Sequence, residues 1–211
     1  KAAKVPVAAP SANISGTPSP TKAEHVYSDM NGKIDAILDG GECKLGIEST
    51  VLSLIGSPTI LRPGAITPEM IAQVIGEVQL SKSILNPLGS GEEVQSPGMK
   101  YKHYSPDAQV YAVYGSEDEI AKKIVTHYDN WTNADKRCLI LASEENKALY
   151  GKRNQIVLGS RSKPEEFCQK LFSALRACEG CDIVLCEALS EHGAGLAFMN
   201  RLLRASGFKT L

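Results

Sequence analysis

The stretch "AQVYAVYGSEDEIAKKIVTHY", Ala108–Tyr128, decides the fold. Its first seven residues are, Gln109 apart, an apolar, β-rich run, the pattern of a strand buried on both faces. Ser116 and Glu119 have the spacing of a capping box, which opens a helix. Ile120, Ile124, Val125 and Tyr128 then form one apolar face at helical spacing. A buried strand followed at once by an amphipathic helix is half of a parallel βαβ unit.

Downstream the pattern repeats. "CLILAS" (138–143) and "QIVLG" (155–159) read as the second and third strands. Ser162 and Glu165 have capping-box spacing before a helix carrying Phe167, Phe172 and Leu175, with Cys168 and Leu171 beside them. "DIVLCEAL" (182–189) is a fourth strand. "GLAFMNRLLRAS" (195–206) is a last helix, stopped by Gly207. These residues predict a small Rossmann-like parallel α/β/α sandwich over 107–211.

Upstream the texture differs. "VPVAAP" (5–10) reads as a short strand that dissolves into the Ser/Asn/Gly/Pro loop "SANISGTPSP" (11–20). Thr21 and Glu24 have capping-box spacing for a helix that Asn31-Gly32 ends. "IDAILDGG" (34–41) reads as a buried strand closed by glycines. "TVLSLIGSPTILRPG" (50–64) reads as a hairpin around Gly56-Ser57-Pro58. Thr67 caps a helix with Pro68 at its first position and Gly76 past its end, and Met70, Ile71, Val74 and Ile75 give it an apolar face. Residues 80–99 read as a surface loop. They lead into "SPGMKYKHYSP" (96–106), which is bracketed by turn-forming pairs and places a domain boundary there.

Composition excludes several classes. The chain has 211 residues, 43% hydrophobic, with net charge −1. Nine basic and ten acidic residues fall in 1–106, and fourteen of each in 107–211, so neither half is a basic nucleic-acid-binding block. No apolar run reaches the roughly 18 residues of a membrane span, and no signal peptide is visible. The six cysteines (43, 138, 168, 178, 181 and 186) include one C-x-x-C without a second pair, so no zinc site is expected and reduced, cytosolic thiols are. There is no P-loop, complete G-x-G-x-x-G, nucleophile elbow or H-E-x-x-H.

Three segments retain chemistry. "APSANISGTPSPT" (9–21) sets Ser11, Asn13, Ser15, Thr17 and Ser19 before a helix N-terminus, where free N–H groups and the dipole attract anions. A phosphate cradle and an ordinary polar loop are equally good readings of that spacing. "GIESTV" (46–51) puts a carboxylate beside two hydroxyls at a strand entrance. It reads as an amino-acid site or, more simply, as a polar strand end. Arg62 in "ILRPG" ends an apolar strand, a position that calls for an anionic partner, either a structural carboxylate or a bound phosphate.

Taken together, "PVAAPSANISGTPSPT", "GIESTV", "ILRPGAIT", "SPGMKYKHYSP" and "GAGLAFMNRLLRAS" resemble, in this order, the two-domain threonylcarbamoyl-AMP synthases. That resemblance implies an α/β fold in which 1–95 form the C-terminal portion of a YrdC-like twisted-sheet domain. Residues 96–106 would be the linker and 107–211 the Rossmann-like domain. It implies conversion of L-threonine, bicarbonate and ATP to threonylcarbamoyl-adenylate and pyrophosphate, with Mg2+ accompanying ATP. A downstream tRNA threonylcarbamoyl transferase would be the partner. Ser11 and Ser19 would contact ATP, with Asn13 shaping their loop. Arg62 would bind phosphate, and Tyr104, with His103 beside it, would fold back from the linker as a lid. Ala9 and Ser49 would border the threonine pocket. The family's upstream half, with its lysine/arginine phosphate grip, has no counterpart here, so this polypeptide alone is expected to have little activity. The rival expectations are a non-catalytic RNA-binding or regulatory module, and an independent nucleotide-binding role for 107–211. Neutral charge and few aromatics weigh against the first, and the missing glycine fingerprint against the second.

Overall fold

A computed structural model describes residues 4–87, 89 and 106–211. Five α-helices, seven strands and one 3-10 turn are present among them. The C-terminal unit follows the sequence pattern closely. Strands β4 (Gln109–Val113), β5 (Cys138–Ser143), β6 (Gln155–Gly159) and β7 (Ile183–Glu187) form one sheet in the order β4-β7-β5-β6. All three pairings are parallel. Helix α3 (Glu117–Asn133) packs on β5, β7 and β4, whereas α4 (Pro164–Arg176) packs on β6 and on α5 (Gly193–Ser206). The helices therefore flank the parallel sheet, as an all-parallel sheet requires. The core between them is apolar: Phe167, Leu171, Phe172 and Leu175 of α4 meet Phe198, Met199 and Leu202 of α5 and Val184 and Cys186 of β7, all buried.

The Ser116–Glu119 capping box forms as expected, with Ser116 N–H donating to the Glu119 carboxylate at 2.8 Å. Gly207 ends α5 at φ 61°, a left-handed position that glycine adopts at little steric cost. The Ser162–Glu165 box does not form. Pro164 occupies the first helical position with Lys163 before it, so α4 starts one residue later than the box requires. Ser162 pairs with the Ser160 hydroxyl instead, and Glu166 accepts from Ser160 N–H.

The N-terminal unit is built on a smaller sheet. β1 (Val51–Ser53) and β2 (Thr59–Arg62) make the expected antiparallel hairpin, and β3 (Gln79–Leu80) adds in parallel to β2. Helix α2 (Pro68–Ile75) begins on the Thr67 cap, whose hydroxyl accepts from Met70 N–H at 3.3 Å. Of its apolar face only Ile71 packs on the core, while Met70, Val74 and Ile75 are exposed.

Three expectations fail in this half. "VPVAAP" and "IDAILDGG" are not strands. Both are irregular and largely exposed, Leu38 being 97% accessible, and no strand among the described residues lies alongside to take their backbone hydrogen bonds. Thr21 does not cap α1 (Ala23–Met30). Lys22 holds that position without a side-chain bond, and Thr21 turns its N–H to His25 Nδ1. Residues 80–87 are more than a surface loop: they supply the end of β3 and a 3-10 turn, Lys82–Ile84, whose Ile84 is buried. The segment 96–105, with the expected lid residues His103 and Tyr104, lies outside the described residues.

The two units share an interface. Ile60 from the small sheet and Ile84 from the 3-10 turn bury against Leu196 of α5. Asn200 of α5 donates to the Ile84 carbonyl at 2.6 Å, and Arg204 donates to the Ser83 carbonyl at 2.5 Å. Gly46 adopts φ 69° and lies against the Gln169 backbone of α4, so closely that a Cβ would overlap it. The buried thiols, Cys138, Cys168, Cys178 and Cys186, are packing groups, and burial pushes Cys178 up to about 12.

Candidate functional site

The chemistry-bearing loops of the N-terminal unit meet the C-terminal unit. A cavity of about 450 Å³ lies at this junction, lined by Ser11, Ser19, Thr21, Lys44, Glu48 and Phe172 among others. Ser11 and Ser19 come from the Pro/Gly-shaped loop, Glu48 from "GIESTV", and Phe172 from α4. Loop and helix therefore share one concavity, the usual setting for a small-molecule site between domains.

Each wall has an identifiable support. Asn13 does not face the cavity's hydroxyls. Its amide donates to the Ile14 and Thr17 carbonyls at 3.0 and 3.2 Å, which closes the loop turn. Ile14 N–H and the Thr17 hydroxyl reach the Asp29 carboxylate on α1, at 3.3 and 3.4 Å. Asp29 is in turn paired with Arg176 of α4, whose guanidinium lies 2.7 and 3.0 Å from its two oxygens. The Arg176 hydrogen bond holds the Asp29 carboxyl below its ordinary value against the cost of burial. Arg176 also donates to the Pro18 carbonyl, at 2.5 and 3.0 Å.

The Glu48 side is gripped the same way. Arg201 of α5 is 1% exposed, and its Nε lies 2.8 Å from Glu48 Oε2. The Ser19 hydroxyl donates to Glu48 Oε1 at 2.9 Å. Burial pushes the Glu48 carboxyl up, but the charge and hydrogen bond of Arg201 outweigh it, and the net shift is downward. Beyond Glu48, the Arg62 guanidinium donates to the Ser49 carbonyl from Nε and Nη2, at 3.1 and 3.0 Å. Thr50 donates to the Ile66 carbonyl. Gly64 lies so close to the Glu48–Thr50 backbone that any side chain there would collide with it.

The structure thus brings Ser11 and Ser19 to one cavity, with Glu48 between them and the Arg62–Ser49 pair. Ala9 and Ser49 are exposed. Arg176, Arg201 and Asp29 escape the sequence reading, although "MNRLLR" carried a signal. An Asn-Arg pair inside an apolar helical run needs a buried polar partner. Among the described residues, no cluster of three or more His, Cys, Asp or Glu side chains is arranged to hold a metal ion. No helix among them is long and apolar enough to cross a membrane.

Comparison with known proteins agrees with this architecture. A family model described as threonylcarbamoyl-AMP synthase, C-terminal domain, matches residues 66–207. A second, of the Sua5/yciO/yrdC type and described as telomere recombination, matches residues 1–64. The threonylcarbamoyl-AMP synthase of Pyrococcus abyssi is 42% identical over 98% of this chain and 59% of its own length. The enzyme of that name from Bacillus subtilis is 40% identical, with the same coverage. The chain thus spans about three-fifths of the length of these curated relatives. The crystal structure of P. abyssi Sua5 complexed with L-threonine superposes with a TM-score of 0.87 at 41% identity, over 96% of this chain and 58% of that one.

Proposed function

This chain belongs to the threonylcarbamoyl-AMP synthase family, and from that premise we propose that it takes part in forming threonylcarbamoyl-adenylate from L-threonine, bicarbonate and ATP. The observation that carries the reading is the junction cavity, where Ser11, Ser19 and Glu48 converge beside the Arg62–Ser49 pair. The relative solved with L-threonine supports the amino-acid substrate.

The reaction asks for little covalent chemistry. The threonine nitrogen and bicarbonate give a carbamate with loss of water, and one carbamate oxygen attacks the α-phosphorus of ATP as pyrophosphate leaves. Such a displacement is accelerated by positioning and by neutralising charge on the phosphates. Ser11 and Ser19 meet the nucleotide, Arg62 fixes the Ser49 strand end and adds positive charge, and Ala9 and Ser49 border the threonine. Mg2+ enters with ATP as part of the substrate. A tRNA threonylcarbamoyl transferase consumes the product.

The test is calorimetric titration of Mg-ATP, with and without L-threonine, into this chain and into the longest polypeptide that contains it. Saturable ATP binding strengthened by threonine is the expected result. With bicarbonate present, threonine-dependent release of pyrophosphate should follow from the form that binds. Absence of both in each folded protein would overturn the reading.

A further inference from the structure

We propose that the C-terminal α/β unit sets the chemistry of Ser19: Arg176 fixes its backbone and Arg201, through Glu48, commits its hydroxyl proton, so that Ser19 meets a ligand only as a hydrogen-bond acceptor. The inference rests on the proposed function for the identity of the ligand but not for the arrangement itself.

The argument starts from valence. A serine hydroxyl has one proton to donate and two lone pairs to offer. An ionised carboxylate can only accept, so the 2.9 Å contact with Glu48 Oε1 consumes the Ser19 proton. Glu48 stays ionised because Arg201 lies 2.8 Å from its other oxygen. Arg201 cannot turn away. It is 1% exposed, its Nη1 is bonded to Asn200 Oδ1, and its Nη2 reaches the Glu48 carbonyl at 3.4 Å. Leaving Glu48 would strand a buried guanidinium. On the other side, Arg176 holds the carbonyl of Pro18, the residue before Ser19, and anchors on Asp29. Peptide and side chain of Ser19 are thus held from α4 and α5 respectively, across more than 150 positions of sequence.

The consequence concerns specificity. A Ser19 oxygen that only accepts suits a ligand group that donates: a ribose hydroxyl, an adenine amino group or an α-ammonium. A phosphate without a proton would face lone pairs there and gain nothing. Within the proposed function, Ser19 therefore contacts the nucleoside or the amino acid and leaves the phosphates to other groups.

The experiment uses this chain, with circular dichroism to confirm folding of each variant. The Glu48 carboxyl is titrated by carbon-13 NMR in the parent, in Arg201→Met and in the rescue variant Arg201→Lys. The midpoint should rise by at least about one pH unit in Arg201→Met and return most of the way in Arg201→Lys. A purely packing role for Arg201 would leave it unmoved, and an unmoved midpoint in folded Arg201→Met overturns the proposal. In parallel, adenosine, L-threonine and sulfate are titrated into the parent and into Ser19→Ala. Adenosine or L-threonine should weaken roughly five- to tenfold, with any sulfate affinity unchanged. Weakening for sulfate, a donor-free anion, would show that Ser19 donates and would sink the inference. If neither adenosine nor L-threonine binds the parent, the functional reading of this chain loses its support, while the Glu48 titration still decides the Ser19 arrangement.

Discussion

Glu187 ends β7 inside the sheet and is fully buried. Its two oxygens accept from four groups: Ser143 N–H at 2.9 Å, the Tyr150 hydroxyl at 2.8 Å, the Asn146 amide at 3.0 Å and Arg161 Nη1 at 2.8 Å. Tyr150 is itself fully buried, and burial together with the neighbouring Glu187 carboxylate pushes its phenol far up. Glu187→Ala removes the acceptor from all four donors at once. Breaking a buried ion pair by deleting one partner costs about 3–5 kcal/mol, and each stranded buried donor costs about 1–3 kcal/mol. Arg161 keeps other partners, since it also donates to the Ala188 carbonyl and lies 3.5 Å from Glu117. Asn146 and Ser143 can recruit water into the space left behind. These losses overlap, and about 5 kcal/mol is the expected total, a large share of the ~5–15 kcal/mol that holds a domain together. Glu187→Gln keeps the shape and one acceptor oxygen and should cost about 2 kcal/mol. The assay is urea unfolding followed by the fluorescence of Trp131, the chain's single tryptophan, which stacks on Tyr111 in this unit. With a slope of about 2 kcal/mol per M, Glu187→Ala should lower the midpoint by roughly 2 M or more. A loss under about 1 kcal/mol at unchanged slope would refute the view of Glu187 as the knot of the strand ends.

Two further predictions concern the junction. Gly46→Ala puts a Cβ into the Gln169 backbone at a left-handed position and should cost about 2–4 kcal/mol of docking between the units; hydrogen exchange of 13–50 should then rise with little change in β4–β7. Acid should produce the same release. Glu48 and Asp29 both titrate below their ordinary values of 4.5 and 3.8, so their stabilisation is complete above those values and is lost as pH falls through the lower folded-state values. Exchange in 13–50 should therefore rise below about pH 4 before the parallel sheet opens, and Arg176→Met should remove the Asp29 share; equal protection of both units through that range would contradict the prediction.

The C-terminal sandwich was legible because its signals are local. "CLILAS" and "QIVLG" match the observed strands residue for residue, and the Ser116–Glu119 box forms as spaced. Even there a second box was misread: Ser162 has the spacing, but Pro164 takes the first helical position. "IDAILDGG" shows the other limit. Apolar residues express a demand for burial and pairing, and only a neighbouring strand can meet it. Ser11, Ser19, Arg62 and Ser49 were found as motif residues. The cavity that Ser11 and Ser19 share and the hydrogen bond from Ser19 to Glu48 were not, because nothing local to 9–21 encodes residue 48 as a partner.

The sequence by itself determined the periodicities, the hairpin, the α2 and α3 caps, the chemistry available in three polar motifs and the family resemblance. All of these depend on residues a few positions apart. Only the tertiary structure decided the strand order β4-β7-β5-β6, the exposure of 34–41 and the reach of Arg176 and Arg201 onto the loops at 18–19 and 48. The physical reason is that a charge buried in one unit must find its counter-charge wherever packing places it. Here packing placed it across the junction, more than 140 residues away in the chain.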